Sequence, residues 1–314
     1  MNLTNIIDII CIGETLIDFI GHQKGVQLNN TKDYHRYLGG SPTNVAMNLA
    51  RLGLKPALIA SVGNDGFGDY IFQRVGEARV SAQYIKRNNQ LPTSTVFVSR
   101  STGTPDFIAY RAADSLITED QVPVEILSHA QVYHTTCFAL SKQPARNTIL
   151  NKAKEAYDLG CKLSIDLNYS EKIWKETDEA IKVIKKYCSY NPLVKLSKDD
   201  MNRLFGYKIS INEVFDFFHK NGVDIVCLTL GEEGVILSQK GKPKISKPAI
   251  KIAEVVDTTG AGDAFWSGFL FAYIKRQPIE KCLITALKLA ALKLQNVGRL
   301  PDSIKSIAQL LAYK

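Results

Sequence analysis

The chain has 314 residues, of which 45% are hydrophobic and 22% charged. This length and composition are typical of a globular protein that buries about three quarters of its unfolded surface. The net charge of +8 comes from scattered lysines and arginines, without a basic run that alternates with aromatic residues, so we expect no nucleic-acid partner.

No stretch is as long as a membrane span, and Asp8, Glu14 and Asp18 interrupt the apolar N-terminal segment, so neither a membrane anchor nor a signal peptide is expected. The six cysteines form no CxxC pair and lie mostly in apolar runs, which predicts reduced thiols and a cytoplasmic protein.

Short apolar runs alternate with helical patterns along most of the chain. The runs that are typical of strands buried on both faces lie at residues 6–12, 57–62, 131–136, 162–166, 194–196 and 225–230. The helical patterns lie at residues 44–52, 144–159, 176–187, 211–220, 263–275 and 279–294. This alternation predicts an α/β fold, a doubly wound and mainly parallel sheet flanked by helices, with ligands bound beyond the carboxyl ends of the strands.

Two segments, at about 18–38 and 93–111, break this alternation. They contain period-two runs such as "TSTVFVSR" and "DFIAYR", with the turn residues "STGTPD" between them. Because both segments follow core strands, they predict a small antiparallel sheet that covers the ligand cleft as a lid. No repeat or linker divides the sequence, so we expect one domain over residues 1–314.

Common signatures of nucleotide, metal and hydrolase sites are absent from the sequence. There is no GxxxxGK[ST] loop, no GxGxxG after the first strand, no HExxH and no GxSxG. The five histidines are isolated from one another. His134, at the end of a predicted strand, is best interpreted as a core histidine.

The first of two glycine-rich stretches is "GGSPTNVAMNLARLG", at residues 39–53. Gly39 and Gly40 permit a turn with a close approach of the backbone to another group. Asn44 lies at the start of the predicted helix, where its amide could bind a hydroxyl group. The alternative is that Asn44 or Thr43 only caps the helix. The spacing leaves both interpretations open.

The second stretch, "DTTGAGDAFWSGFL", begins at Asp257 and leads into a long apolar helix. Gly260, Ala261 and Gly262 can direct successive backbone N–H groups at a phosphate, helped by the helix dipole. Asp263 could be a simple cap, because an acidic residue is stabilised at this end of a helix. A carboxylate beside an anion site repels a phosphate, however, and is better suited to accepting a proton from an attacking hydroxyl group. This combination indicates phosphoryl transfer.

Together the two stretches resemble the ribokinase-like (PfkB) family of carbohydrate kinases. The first signature of that family matches, in order and spacing, Gly39, Gly40, Asn44, Gly53 and Gly63, and the second matches Asp257, Gly260, Ala261, Gly262, Asp263 and Gly268. The two signatures lie about 215 residues apart in the chain order of the family, so accidental agreement is very improbable.

The resemblance implies the residues of the sugar site. Asp263 would be the catalytic base, and Gly260, Ala261 and Gly262 would form the anion hole. The residues implied around the sugar are Asp18, which we expect at the end of the first strand and the start of the lid, Gly39, Gly40, Asn44, Arg111 of "AYRAAD", and Asn168 of "IDLNYS".

The resemblance also implies ATP and Mg²⁺, together with a potassium ion beside the anion hole. The ATP residues would be Thr229, Gly231 and Gly234 in "TLGEEG", Ser197 in "SKDD", and Asn296 and Gly298 near the adenine. The family's usual Asn-x-x-Glu motif is replaced by Ser197 and Asp200, where Asp200 would hold Mg²⁺ through water. The positions that match the potassium ligands are Asp257 and Thr259.

The local stretches are most similar to fructokinases and 2-keto-3-deoxygluconate kinases. Ser170 stands where many of these enzymes have an arginine, which weakens the case for an acid sugar. Arg111 is the only obvious basic group for a sugar phosphate in the lid. We therefore expect fructose, phosphorylated at its 6-hydroxyl group, with 2-keto-3-deoxygluconate kinase or ribokinase as alternatives. A non-catalytic sugar or nucleotide sensor is the alternative from a different class. Relatives often pair their lids, so a homodimer is plausible.

Overall fold

The main sheet determines where the predicted site residues of this chain can lie. The structure, a computed structural model, describes residues 7–100, 106–296 and 300. Its strands in chain order are β1 (Ile9–Ile12), β2 (Leu16–Gly21), β3 (Tyr34–Gly39), β4 (Pro56–Gly63), β5 (Ile85–Asn88), β6 (Thr95–Val98), β7 (Phe107–Tyr110), β8 (Val132–Thr136), β9 (Lys162–Asp166), β10 (Leu193–Ser197), β11 (Ile225–Thr229), β12 (Val235–Gln239) and β13 (Ile245–Lys247).

The helices connect these strands and cover the main sheet. In chain order they are α1 (Ser41–Arg51), α2 (Gly66–Glu77), α3 (Val124–His129), α4 (Ala145–Asp158), α5 (Thr177–Cys188), α6 (Lys198–Phe205), α7 (Ile211–Lys220), α8 (Ala261–Ile274) and α9 (Ile279–Leu294). Among the described residues, no helix is both long and apolar enough to cross a membrane. All six cysteines are buried free thiols.

Within the described ranges, the main sheet has nine strands in the order β13-β12-β11-β10-β9-β8-β1-β4-β5. The strands from β11 to β5 run parallel, and β12 and β13 add two antiparallel strands at one edge. Side chains alternate between the two faces of each strand: Ile10 and Ile12 pack in one hydrophobic cluster, while Ile9 and Cys11 pack in the other. Both faces are therefore buried, which confirms the predicted doubly wound α/β architecture.

The predicted core elements are all present, with ends that differ by at most three residues from the prediction. The largest differences are at β1 and at α1, which begins at Ser41 rather than at Asn44 because Pro42 is compatible with the first turn of a helix. The pattern did not predict β5, β12, β13, α3 or α6, which are short or lie at the edges of the sheet, and it also missed the 12-residue helix α2.

The lid is a four-stranded sheet in the order β3-β2-β6-β7. Its two hairpins, β2–β3 and β6–β7, are antiparallel, as predicted. The central pair β2–β6 is parallel, however, so the expectation of a purely antiparallel lid is wrong. Strands β2 and β6 are each the outgoing strand of a hairpin, and they run side by side in the same direction. The return strands β3 and β7 form the two edges of the lid.

Candidate active site

The start of α8 brings Asp263 to the carboxyl edge of the main sheet. Gly260, the residue before the helix, has the left-handed backbone angles φ 74° and ψ 8°, which glycine adopts without strain. The Asp263 carboxylate accepts two side-chain hydrogen bonds from α1: Oδ1 from Ser41 Oγ at 2.6 Å, and Oδ2 from Asn44 Nδ2 at 2.8 Å. The two glycine-rich stretches, 219 residues apart at Asn44 and Asp263, therefore meet through this carboxylate.

One of the three expected amide donors, that of Ala261, is used within the loop before α8. The Ala261 amide donates to the Thr258 carbonyl oxygen at 3.2 Å, so it belongs to a turn rather than to an anion site. In the described part of the chain, the amides of Gly260, Gly262 and Asp263 have no acceptor within hydrogen-bond distance. These three amides form the candidate anion site, at the start of a helix whose dipole favours negative charge.

Asp18 lies beside Asp263, in the lid strand β2 rather than at the end of the first strand as predicted. Loss of water around its carboxyl group and the nearby charge of Asp263 raise the pKa of Asp18 to about 7. Burial also raises the pKa of Asp263 above its ordinary value, although the bonds from Ser41 and Asn44 act in the opposite direction. Two carboxyl groups that repel each other share this part of the cleft.

The first two glycines of the first stretch, Gly39 and Gly40, are required by close contacts. A Cβ atom on Gly39 would lie 2.2 Å from Asp18 Oδ2, and one on Gly40 would lie 2.2 Å from the Glu14 carbonyl oxygen. Gly40 also has a φ of 100°, in the region that favours glycine. A side chain at either position would displace Asp18 or separate α1 from the end of β1.

The question of whether Asn44 or Thr43 caps α1 is settled by their contacts. Gly40 is the residue before the helix, so neither side chain is in a capping position. Thr43 Oγ1 contacts Thr15 Oγ1 at 2.6 Å and donates to the Glu14 carbonyl oxygen at 3.2 Å, within the core. Asn44 instead points to Asp263, which favours its functional interpretation.

Glu14, which the sequence analysis did not single out, connects β1, β8 and α1. Its side chain is buried, and its carboxyl group accepts from the Ser41 amide at 3.1 Å and from Thr136 Oγ1 at 2.7 Å. Burial raises the pKa of Glu14 to about 8. This acidic side chain fixes the start of α1, and thereby Ser41 and Asn44, relative to the sheet.

Lys195, also missed, is a buried lysine that approaches the anion site from β10. Its Nζ donates to both carboxylate oxygens of Asp166 at 2.9 Å. A Cβ on Gly262 would lie 3.2 Å from the same Nζ, so the ammonium lies directly under the first turn of α8. Burial alone would lower the pKa of Lys195, but Asp166 and Asp200 raise it above the ordinary lysine value. This lysine therefore stays charged.

Arg111 does not offer a free guanidinium group to a sugar. Its Nε and Nη2 donate to Asp114 Oδ2 at 2.8 and 2.6 Å, and its Nη1 donates to the Phe138 carbonyl oxygen and to Ser141 Oγ. The guanidinium also stacks over the Phe138 ring at 4.2 Å. Arg111 thus supports the wall of the cleft rather than offering its guanidinium group to a sugar.

Asn168 lies where expected, after the carboxyl end of β9. Its Oδ1 accepts from the Phe138 amide at 3.2 Å. It lines a cavity of about 310 Å³ under the lid, which we call the lid cavity. Other residues that line the lid cavity are Glu14, Asp18, Gly40, Ser41, Val96, Val98, Phe107, Asp200 and Arg203.

The expected nucleotide residues lie along the same edge of the sheet, at β10 and β11. Thr229 ends β11, and Gly231 and Gly234 follow it with φ angles of 62° and 105°. A Cβ on Gly234 would lie 2.2 Å from the Lys247 carbonyl oxygen, so this position requires glycine, whereas Gly231 is open to solvent. Four strand spacings of about 4.8 Å separate β1 from β11, a span of roughly 19 Å.

Ser197 and Asp200 form a capping box at the start of α6. Asp200 Oδ2 accepts from the Ser197 amide at 2.8 Å and from Ser197 Oγ at 2.6 Å. The described residues contain no cluster of three or more metal-ligating side chains. Because both bonds use Oδ2 and Asp200 lines the lid cavity, its carboxylate is compatible with Mg²⁺ held through water rather than directly.

The residues expected near the adenine and the potassium ion meet at the end of α9. Asp257 Oδ1 accepts from the Thr259 amide at 2.9 Å, and Asp257 Oδ2 accepts from Lys293 Nζ at 3.1 Å. Asn296 follows α9, and its Nδ2 donates to the Leu292 carbonyl oxygen at 2.7 Å. Gly298, expected beside the adenine, lies outside the described residues.

His134 is a core residue, as the sequence analysis favoured. It is fully buried in β8, and its Nδ1 contacts Ser164 Oγ at 3.0 Å. Burial lowers the pKa of His134 to about 3, so the ring is neutral. It takes no part in the site.

Comparison with known proteins identifies the family. Residues 7–305 match the pfkB family of carbohydrate kinases. An ATP-dependent 6-phosphofructokinase of Thermoanaerobacterium thermosaccharolyticum is 34% identical over 308 residues, which cover 96% of this chain and 94% of that protein. The structure of a fructokinase of Halothermothrix orenii has a TM-score of 0.78 at 35% identity, over 92% of this chain and 98% of that one.

The structure of a sugar kinase of Pyrococcus horikoshii, solved in complex with ATP, has a TM-score of 0.83 at 27% identity, over 96% of this chain and 99% of that one. These superpositions confirm the ribokinase-like fold that the resemblance implied. The match over residues 7–305 agrees with the meeting of the two signatures at Asp263. This chain is therefore a carbohydrate kinase that belongs to the pfkB family.

Proposed function

We propose that the protein is an ATP-dependent fructokinase that phosphorylates the 6-hydroxyl group of fructose. The observation that carries this proposal is the Asp263 carboxylate, held by Ser41 and Asn44 at the start of α8 and next to Asp18. The fructokinase of Halothermothrix orenii supports fructose as the sugar, and the Pyrococcus horikoshii sugar kinase solved with ATP supports the phosphoryl donor.

Each residue of this site has a defined task in the proposed reaction. Asp18 and Asn44 orient the sugar by hydrogen bonds to its hydroxyl groups. Asp263 accepts the proton of the reacting hydroxyl, whose oxygen forms a bond to the γ-phosphorus while the bond from that phosphorus to the β–γ bridging oxygen breaks. ATP supplies the phosphoryl group, and ADP leaves with the bridging oxygen. The Gly262 and Asp263 amides and the Lys195 ammonium stabilise the negative charge that develops on the transferred group.

The nucleotide would extend from this point along β10 and β11. Thr229 and the open backbone at Gly231 are suited to contact its phosphates, and Asn296 lies on the side of α9 where we place the adenine. Asp200 would hold Mg²⁺ through water. That ion, when bound, neutralises charge on the phosphates.

A second candidate substrate, fructose 6-phosphate, is favoured by one specific observation. A cavity of about 300 Å³, which we call the arginine cavity, adjoins Asp18 and Asn44 and is lined by Arg36, Arg51 and Arg74. From the sequence, Arg111 was the only obvious basic group in the lid for a sugar phosphate. This expectation is wrong, because Arg36 is also in the lid, in strand β3. The 6-phosphofructokinase of Thermoanaerobacterium thermosaccharolyticum supports this alternative.

A substrate panel distinguishes these candidates. With ATP and Mg²⁺, we expect kcat/KM for fructose to exceed those for fructose 6-phosphate, 2-keto-3-deoxygluconate and ribose by at least about tenfold. The exposed Arg36 should be dispensable, so Arg36→Gln should change kcat/KM for fructose by less than about threefold. Arg276→Gln, an exposed arginine at the far end of α8, is the matched control.

Three other outcomes would contradict fructose as the substrate. If fructose 6-phosphate is the best substrate and Arg36→Gln lowers its kcat/KM by about tenfold or more, the arginine cavity binds a sugar phosphate and fructose is wrong. Activity with 2-keto-3-deoxygluconate alone would identify an acid-sugar kinase. Binding without any turnover would support the sensor alternative.

The pairing of two lids stays a prediction from the sequence. Strand β7 forms an edge of the lid, and its Ile108 and Tyr110 are 47% and 60% exposed. An exposed strand edge with apolar side chains is suited to pair with a second copy. Light scattering of the purified protein would show a monomer if this prediction is wrong.

A further inference from the structure

One of the two residues expected to bind a potassium ion, Asp257, binds a side chain of this protein instead. Asp257, the expected carboxylate ligand, accepts from Lys293 Nζ at 3.1 Å. The same Nζ donates to the Asn296 carbonyl oxygen at 3.0 Å. One ammonium group therefore binds a carboxylate oxygen and a carbonyl oxygen, the kinds of ligand that a monovalent metal cation takes.

Lys293 reaches this position through the interior. Its side chain is 3% exposed, and its Cε would lie 3.8 Å from a Cβ atom on Gly260, so the stem passes beneath the loop that leads into α8. The backbone reinforces this arrangement, because the Val256 amide donates to the Leu294 carbonyl oxygen at 2.8 Å. The end of α9 and the loop before Asp263 are thus joined by both backbone and side chain.

These residues do not fit a potassium ion in the observed arrangement. An ion bound to Asp257 Oδ2 and the Asn296 carbonyl oxygen would lie in contact with the ammonium that already binds both atoms. Two positive charges would then meet at one carboxylate, and because the Lys293 side chain is only 3% exposed, water would screen its repulsion of the ion weakly. The ammonium and the ion therefore exclude each other.

We propose that the Lys293 ammonium replaces the monovalent cation of this site, so that the kinase needs no added potassium. Lys293 fixes the carboxylate of Asp257 and, with it, the loop from Asp257 to Gly260 that precedes the catalytic carboxylate. It also supplies positive charge beneath the start of α8. Lys293 is a positioning residue, since its effect on the reaction passes through Asp257 and Gly260.

The wild-type protein provides the first test. Turnover is measured while KCl replaces choline chloride at constant ionic strength, and we expect a change of less than about twofold. Equilibrium dialysis with rubidium ions, a potassium substitute, should show no stoichiometric binding. The midpoint of thermal unfolding should be the same in KCl and in choline chloride, because an ion that does not bind the folded state cannot stabilise it.

Lys293→Met provides the second test, because it removes the ammonium and leaves the Asp257 carboxylate. In choline chloride we expect turnover to fall by about 10- to 100-fold. Potassium should restore part of this turnover, raise the unfolding midpoint of the variant and produce rubidium binding. Lys281→Met, an exposed lysine on α9, should behave as the wild type throughout. A purely structural role of Lys293 predicts no specific rescue by potassium.

The proposal is overturned if potassium raises wild-type turnover severalfold, or if the wild type binds rubidium and is stabilised by potassium. A Lys293→Met variant that loses activity without rescue or rubidium binding also contradicts it. If the variant does not fold, the three wild-type measurements decide. The turnover measurements rest on the proposed fructokinase function, but dialysis and unfolding do not. If the protein phosphorylates no sugar, binds no rubidium and is not stabilised by potassium, only the proposed function is wrong.

Discussion

Asp263→Asn should lower turnover with fructose by at least about 100-fold while affinity for ATP changes little. The asparagine keeps the size of the side chain and can still contact Ser41 and Asn44, but it cannot accept the proton of the reacting hydroxyl group. Steady-state kinetics and titration calorimetry with an ATP analogue measure the two effects. Asp216→Asn, an exposed carboxylate on α7, is the matched control.

The pH dependence gives an independent check of the same residue. A base must be ionised, so activity should be lost as the pH falls through the raised pKa of Asp263, which lies above the ordinary aspartate value of about 4. Asp18, with a pKa of about 7, titrates in the same cleft, so the two groups act as a coupled pair. The acidic limb of kcat/KM should therefore lie at higher pH than an ordinary aspartate would give.

In Asp263→Asn the negative neighbour of Asp18 is removed, so the pKa of Asp18 should fall and the acidic limb of the residual activity should move to lower pH. If turnover of Asp263→Asn is close to that of the wild type, Asp263 only stabilises the start of α8 and is not the base. If the acidic limb of Asp263→Asn lies at the same pH as that of the wild type, the two carboxyl groups do not interact.

The main sheet was predictable from the sequence because its strands are buried on both faces. Runs such as the one that contains β11 are continuous, apolar and flanked by polar residues, which distinguishes them from the amphipathic helices that follow. The antiparallel strands β12 and β13 were missed because their apolar runs are too short to stand out: β12 reads VILSQ and β13 reads ISK. The parallel pairing of β2 with β6 could not be predicted, since strand periodicity carries no information about which hairpins lie side by side.

The residues of the site were likewise predictable only in part. Asp263, Asn44, Gly39 and Gly40 were found because small residues before a helix leave a clear pattern. Glu14, Lys195 and Lys293 were missed, since a charged residue beside or inside an apolar element is usually interpreted as a solvent-exposed position. A signal was present in "VKLS", where Lys195 interrupts a strand that should be buried on both faces. A lysine in such a strand must have a buried partner, and its partner Asp166 ends the neighbouring strand β9.

Removing the charge of Lys195 should produce the second large effect. We expect Lys195→Met to lower turnover by about 100-fold, because the ammonium is the positive group beneath the first turn of α8, where the transferred phosphoryl group would lie. The substitution also leaves Asp166 as an unpaired buried carboxylate, which should destabilise the fold by about 3–5 kcal/mol. Turnover and the unfolding midpoint are measured together.

The double variant Lys195→Met/Asp166→Asn separates catalysis from stability. Its neutral side chains remove the unpaired charge, so the unfolding midpoint should recover most of the loss, while turnover stays low because the positive charge is still missing. Lys162→Met, at the opposite end of β9, is the control: its Nζ donates to the Asn191 carbonyl oxygen at 2.6 Å, far from the anion site. If turnover recovers together with stability in the double variant, Lys195 only supports the fold. The phosphoryl group would then be stabilised by the amides of Gly262 and Asp263 and by groups that arrive with the nucleotide.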